Sequence, residues 1–206
     1  MSLFKQLVAA VYDPVMGALE RGRLGAKRRE LLADLSGDIV EIGAGTGANL
    51  RHLPPGVGHV TAVEPDPAMA ERLRTRAAEL GRDVEVVHAP AEALPLPDHS
   101  VHVLVTTLVL CSVRDPEVAV AEFRRVLRDD GQLLVLEHVV DPTPVRARLQ
   151  RRLTPAWRVL TGGCHLDRDT RTTLARGGFD VSEVTTWQLS ARGPTVAAVV
   201  GIARPR

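Results

Sequence analysis

The amino-acid sequence predicts an α/β fold in which a largely parallel sheet carries helices on both faces. Three features predict it. Short runs rich in Val, Leu and Ile alternate along the chain with amphipathic segments. Several of those runs are apolar without a break, as expected of strands buried on both faces. A glycine cluster, Gly43-Ala44-Gly45-Thr46-Gly47, directly follows the first run.

In chain order, residues 2–35 read as two helices. Phe4, Leu7, Val8, Val11, Val15 and Leu19 recur near helical spacing there, with Tyr12 beside them. The predicted strands are Asp38–Ile42, His59–Glu64, Val84–His88, His102–Thr107, Gln132–Glu137, Val181–Trp187 and Thr195–Ala203. Ala68–Leu80 and Glu117–Leu127 have helical spacing. The second carries the stripe Val118, Ala121, Phe123, Val126 and Leu127, and Asp129-Asp130-Gly131 ends it. Asp141–His165 is a long connection containing Arg146, Arg148, Arg151, Arg152 and Trp157; connections of that length are often functional lids. Its arginines read as a solvated helix face or as an entrance for an acidic or phospholipid substrate.

Composition narrows the function classes. At 206 residues the chain makes one domain, here divided into N-terminal helices (1–36), a ligand-binding core (37–140), and a lid connection with C-terminal strands (141–206). A balance of 26 basic against 25 acidic residues gives no global attraction for nucleic acid. Three Phe, two Trp and one Tyr are too few for a base-stacking platform. No apolar run approaches the roughly 18 residues of a membrane span, and Leu7–Val11 is too short for a signal-peptide core. A cytoplasmic protein with no integral membrane segment is the expectation. Cys111 and Cys164 make neither a disulfide framework nor a zinc spacing, so no metal is expected, and both read as pocket lining or apolar packing.

The glycine loop permits positive φ and close approach of a ligand to the backbone. Its spacing is G-x-G-x-G, not the G-x-G-x-x-G of a dinucleotide fingerprint. Glu41 stands two positions before the loop, and Glu64 ends the second strand, placed to accept from ribose hydroxyls. A second acid beside the loop suits a ligand with an ammonium group better than one with a pyrophosphate. S-adenosylmethionine has a ribose, an adenine, an amino group and no phosphate; NAD is disfavoured on this ground.

Glu41–Gly47, Val63-Glu64-Pro65, Ala91–Asp98 and Arg125–Gly131 resemble the class I S-adenosylmethionine-dependent methyltransferases, of the broad type that contains the quinone C-methyltransferases. A narrower resemblance, to the animal alkyl-thiol S-methyltransferases, covers residue 12 onward. It runs through Lys27–Leu31, Gly45–Asn49, Pro54–Gly56, Thr107–Val113, Glu137–Val139, Pro155–Trp157, Gly163–Leu166, Gly193-Pro194 and Gly201–Ala203. The resemblance implies a Rossmann-like seven-stranded sheet with one antiparallel strand; the N-terminal helix reads either as packing against the sheet edge or as a lid over cofactor and substrate. The resemblance also implies S-adenosylmethionine bound by Tyr12, Glu41, Gly43, Ala44, Gly45, Gly47, Asn49, Glu64, Pro65, Ala91, Glu92, Thr107 and Leu108, with S-adenosylhomocysteine as product. Three departures stand out. The animal enzymes begin with a hydrophobic anchor that these residues lack. Pro90 replaces an adenine-binding Asp, leaving adenine to the Ala91 backbone and the neighbourhood of Glu92. His102 replaces the usual acid opening the fourth strand.

Methyl transfer from a sulfonium is an in-line displacement, so the protein mainly aligns reactants and excludes water. No covalent enzyme intermediate is expected. A thiol acceptor adds one need, because the thiolate is the nucleophile. His138, after the fifth strand, and His165, in the lid connection, are the candidate bases. The expected acceptor is a small molecule, foremost a thiol metabolite or xenobiotic. A quinol carbon or phospholipid amine is the alternative acceptor, and a non-catalytic cofactor-binding protein is the alternative of another class.

Overall fold

Asp66-Pro67 and Asp115-Pro116 start two of the helices that flank the sheet. In each, the Asp carboxylate accepts from two first-turn N–H groups while Pro occupies the position that needs no donor. The computed structural model describes residues 20–188 and 196–206. Tyr12 and most of the predicted N-terminal helices therefore lie outside the described residues.

The elements follow in order: α1 (Arg23–Leu32), β1 (Gly37–Ile42), a 3-10 turn (Leu50–His52), β2 (Val57–Val63), α2 (Pro67–Glu79), β3 (Val84–Val87), β4 (Val101–Thr107), α3 (Pro116–Val126), β5 (Leu127–His138), α4 (Pro144–Thr161), α5 (Thr170–Arg176), β6 (Phe179–Asp180), β7 (Val184–Gln188) and β8 (Ala197–Pro205). The sheet order is β3-β2-β1-β4-β5-β8-β6, with β7 also on β8. β1 to β5 are mutually parallel and β8 is antiparallel to β5. β6 and β7 pair in succession along β8, so the eight segments occupy the seven expected positions.

The predicted strand at Val181–Trp187 needs correction. Residues 181–183 form a turn, where the Asp180 carboxylate accepts from Ser182 N–H at 2.9 Å. The outer strand therefore breaks into β6 and β7. Leu127, predicted to end a helix, begins β5 instead; its side chain is buried in the core beneath α3.

Strand alternation divides the core between two faces. Ile39, Val103, Val105 and Leu134 pack with Leu32, Leu73 and Ala77 of α1 and α2. Val40, Ile42, Leu104, Leu133 and Val135 pack with Ala119, Val120 and Phe123 of α3 and Leu174 of α5. Helix α4 differs: Val145, Leu149, Leu153 and Trp157, four residues apart, are all exposed. The strand order reverses at β1/β4, which opens a crevice at the carboxyl ends of these two strands.

Candidate functional site

The glycine loop leaves β1 at that crevice. Gly43, Gly45 and Gly47 all have positive φ, but for different ends. A Cβ on Gly43 would meet Val109 at 2.6 Å, and one on Gly47 would meet Leu73 at 2.8 Å, so these two serve packing. A Cβ on Gly45 would project into nearly open space. That face, with Glu41, Ala44, Thr46, Thr107 and Leu108, lines a cavity of about 760 Å³.

Beneath the loop lies a buried polar network. Asn49 donates through Nδ2 to Glu41 at 2.8 Å and to Thr107 Oγ1 at 3.0 Å. Arg28 of α1 donates to Asn49 Oδ1 at 2.7 Å, to Thr107 Oγ1, and to Glu20 at 3.0 Å. One Glu41 oxygen, Oε2, is buried with no partner. Burial pushes the Glu41 carboxyl up to about 7, against the pull of Arg28 and the Asn49 hydrogen bond. Glu64 sits across the loop, accepting from Gly45 N–H and Asp66 N–H, both at 2.8 Å. Pro65 beside it is exposed.

Two sequence motifs turn out to be one hydrogen-bonded unit. Arg125 donates to the carbonyls of Leu94 (2.9 Å) and Leu96 (2.8 Å) and to Asp98 (2.7 Å), while Glu122 accepts from Leu94 N–H. This holds the 91–98 loop with Ala91 buried. The Glu92 carboxylate accepts from Arg114 and Asp115 N–H, so its side chain organises the turn before α3.

At the ends of β4 and β5 the buried Glu137 carboxylate accepts from Thr106 Oγ1 (2.8 Å), Val109 N–H (2.9 Å) and Cys111 N–H (3.3 Å). Burial raises its pKa, opposed by these bonds. They hold a sharp turn in which Leu108 has φ of 61°, a left-handed conformation that a branched side chain adopts only when its surroundings impose it. His138 is buried; its Nδ1 lies 3.7 Å from Cys164 Sγ, and its Nε2 has no partner. His165 is half-buried, and its backbone N–H donates to the Cys111 carbonyl at 2.7 Å. Burial, then Arg168 and Arg158, lower the His165 pKa.

The structure thus gathers Glu41, Gly43, Ala44, Gly45, Asn49, Glu64, Thr107 and Leu108 around the β1/β4 crevice, and His138, Cys164 and Cys111 at the end of β5. Sequence reasoning missed Arg28 and the Cys164 contact. Arg28 lies in the Lys27–Leu31 segment of the resemblance, the one signal that pointed to it.

A Rossmann-like sheet with this loop and these two acids defines a class I methyltransferase. A methyltransferase domain model matches residues 40–135. The chain is 35% identical over 200 residues to thiol S-methyltransferase TMT1B of Rattus norvegicus, covering 89% of this chain and 81% of that one. It is 37% identical over 169 residues to human thiol S-methyltransferase TMT1A, covering 76% and 69%. An SAM-dependent methyltransferase from Methanosarcina mazei superposes with a TM-score of 0.65 at 20% identity, covering 82% of this chain and 92% of that one. The chain belongs to the methyltransferase family of TMT1A and TMT1B, and S-adenosylmethionine is its methyl donor.

The residues fit that donor. The partnerless oxygen of Glu41 is an acceptor for an ammonium, and the free approach at Gly45 admits a ligand against the backbone. Among the described residues no helix is long and apolar enough to cross a membrane, and no cluster of His, Cys, Asp and Glu could hold a metal ion.

Proposed function

We propose that the protein transfers the methyl group of S-adenosylmethionine to the sulfur of a small thiol, with His138 as the proton acceptor. The observation that carries this reading is the His138 ring: Nδ1 faces the Cys164 sulfur while Nε2 is buried and partnerless. A ring nitrogen left open in this way can serve as the acceptor of a substrate proton. The kinship with thiol S-methyltransferases supports the sulfur acceptor.

In this reading the bound sulfonium supplies an electrophilic methyl that needs no further activation. Glu41 takes the donor's ammonium, Glu64 its ribose hydroxyls, and the backbone at Gly45 and Ala91 its flanks. Thr107 and Leu108 hold the floor between donor and acceptor. His165, partly exposed beside the connection, is the second candidate base.

The test is S-adenosylhomocysteine formation at one pH with a panel of small thiols, a quinol and phosphatidylethanolamine. Turnover on thiols is expected. Turnover on the quinol or the lipid alone would retire the sulfur acceptor. Silence with every acceptor, while S-adenosylhomocysteine still binds, would favour the non-catalytic reading. His138→Ala should lower kcat/KM for an alkyl thiol by about 100-fold. An aryl thiol already ionised at the working pH should be far less affected; equal losses would remove His138 as base.

A further inference from the structure

Cys111 lies in the turn after β4, and Cys164 lies in the connection after α4. Two contacts fix these segments against each other. His165 N–H donates to the Cys111 carbonyl at 2.7 Å, and Gly163 packs so that a Cβ there would lie 3.4 Å from the Ser112 carbonyl oxygen. With their backbones held together in this way, the two thiols perturb each other's titration. His138 Nδ1 stands 3.7 Å from the Cys164 sulfur. Cys111 is 2% exposed, with Ser112 Oγ at 3.5 Å, whereas Cys164 is only part-buried. Direct methyl transfer uses neither sulfur.

We propose that Cys164 and Cys111 form a modification site for organic disulfides, Cys164 attacking and Cys111 resolving, which closes into an intramolecular disulfide. This goes beyond the acceptor reading and does not rest on it. In the first step the Cys164 thiolate attacks one sulfur of RSSR. A Cys164–SR bond forms, the RS–SR bond breaks, and RS⁻ leaves to be protonated. In the second, Cys111 gives up its proton and attacks the Cys164 sulfur. The Cys111–Cys164 bond forms and the second RS⁻ leaves. Two protein sulfurs are oxidised, one RSSR is reduced to two RSH, and of the two protons gained by the released thiols one comes from Cys111 and one from solvent.

The environment separates the roles. The neighbouring Cys111 and then His138 hold the Cys164 pKa below its ordinary range, against burial. The neighbouring Cys164, then burial and Glu137, raise Cys111 well above its ordinary range. Thiolation of Cys164 removes the anion that retained the Cys111 proton, so the second sulfur becomes available only after the first has reacted. The titratable and charged groups facing the pair are Glu137 and His138 from β5 and His165 and Arg168 from the connection after α4.

The experiment treats the folded protein with hydroxyethyl disulfide at pH 6, quenches by alkylation, and reads intact mass and peptide maps. The wild type should lose two hydrogens and yield a Cys111–Cys164 cross-linked peptide. Initial attack should be on the order of tenfold faster than on an unperturbed peptide thiol, since the gain in thiolate fraction outweighs the loss of nucleophilicity. Cys111→Ser should accumulate a stable adduct on Cys164, and Cys164→Ser should leave Cys111 free. Two free thiols in treated wild type would overturn the proposal. So would an adduct on Cys164 that wild type never resolves, or modification of Cys111 at undiminished rate in Cys164→Ser. Should Cys111→Ser fail to fold, the wild-type cross-link and Cys164→Ser still decide.

Discussion

Arg28 and Thr107, 79 residues apart in sequence, are hydrogen-bonded beneath the glycine loop. Helix α1 is thereby fastened to the end of β4, and the floor of the β1/β4 crevice depends on a side chain from outside the sheet. Arg28→Met keeps the aliphatic bulk but leaves Asn49 Oδ1 and Glu20 Oε1 without their donor, while Thr107 keeps that of Asn49. At about 1–3 kcal/mol for an orphaned buried group, Tm should fall by roughly 5–10 °C, measured by calorimetry. With the guanidinium gone, the Glu41 pKa should rise further, because Arg28 is what pulls it down.

Glu41 makes stability depend on pH. Its carboxyl sits near 7 in the folded protein against an ordinary 4.5, so the folded state holds the proton more tightly. Stability is therefore lost as pH rises from about 4.5 to about 7, by up to roughly 3 kcal/mol. Glu41→Gln should flatten that part of the Tm-against-pH curve. An ammonium on Glu41 Oε2 favours the carboxylate, so S-adenosylhomocysteine binding below pH 7 should release a proton. Titration calorimetry in buffers of different ionisation enthalpy reads it directly; no buffer dependence would remove Glu41 from the ammonium site.

The loop glycines should separate by readout. Gly45→Val places its side chain where only open space lies, so it should abolish the rise in Tm that S-adenosylhomocysteine gives wild type, beyond a backbone strain of about 1–3 kcal/mol. Gly47→Ala drives a methyl against Leu73 and Leu50 and should lower Tm even without ligand. Equal ligand shifts in wild type and Gly45→Val would place the cofactor elsewhere.

Glu137→Ala removes the acceptor of two backbone N–H groups and one hydroxyl inside the core. A loss of about 3 kcal/mol or more is expected in urea unfolding, together with relaxation of Leu108 from its left-handed conformation. Hydrogen exchange at Val109 and Cys111 should accelerate locally; unchanged protection there would show that the turn is held by other means.

The sheet was legible because doubly covered parallel strands write continuous apolar runs, and the glycine loop because positive φ demands a particular residue. The outer strand was read less well: Asp180 and Ser182 form a turn inside a stretch whose apolar and polar residues alternate as in a strand, and periodicity does not register such a break. Arg28 was illegible as a site residue because an arginine on an amphipathic helix reads as solvent-facing, and nothing local reports a partner on a distant strand. The same holds for Cys164 and His138, whose meeting depends on the path of α4. Glu92 lay inside a recognised motif, yet its carboxylate serves the turn at Arg114 and Asp115.

The position of β8 has a consequence in time. It comes late along the chain yet sits inside the sheet, between β5 and the β6/β7 pair. During synthesis β1 to β5 can assemble in sequence, but the outer edge of β5 stays bare, and β6 and β7 have no strand to join until β8 emerges. The crevice between β1 and β4 is thus complete before the His138 end of β5 is covered. A nascent or refolding chain would complete the β1/β4 crevice first and the end of β5 last, with one open sheet edge as its period of greatest exposure to aggregation.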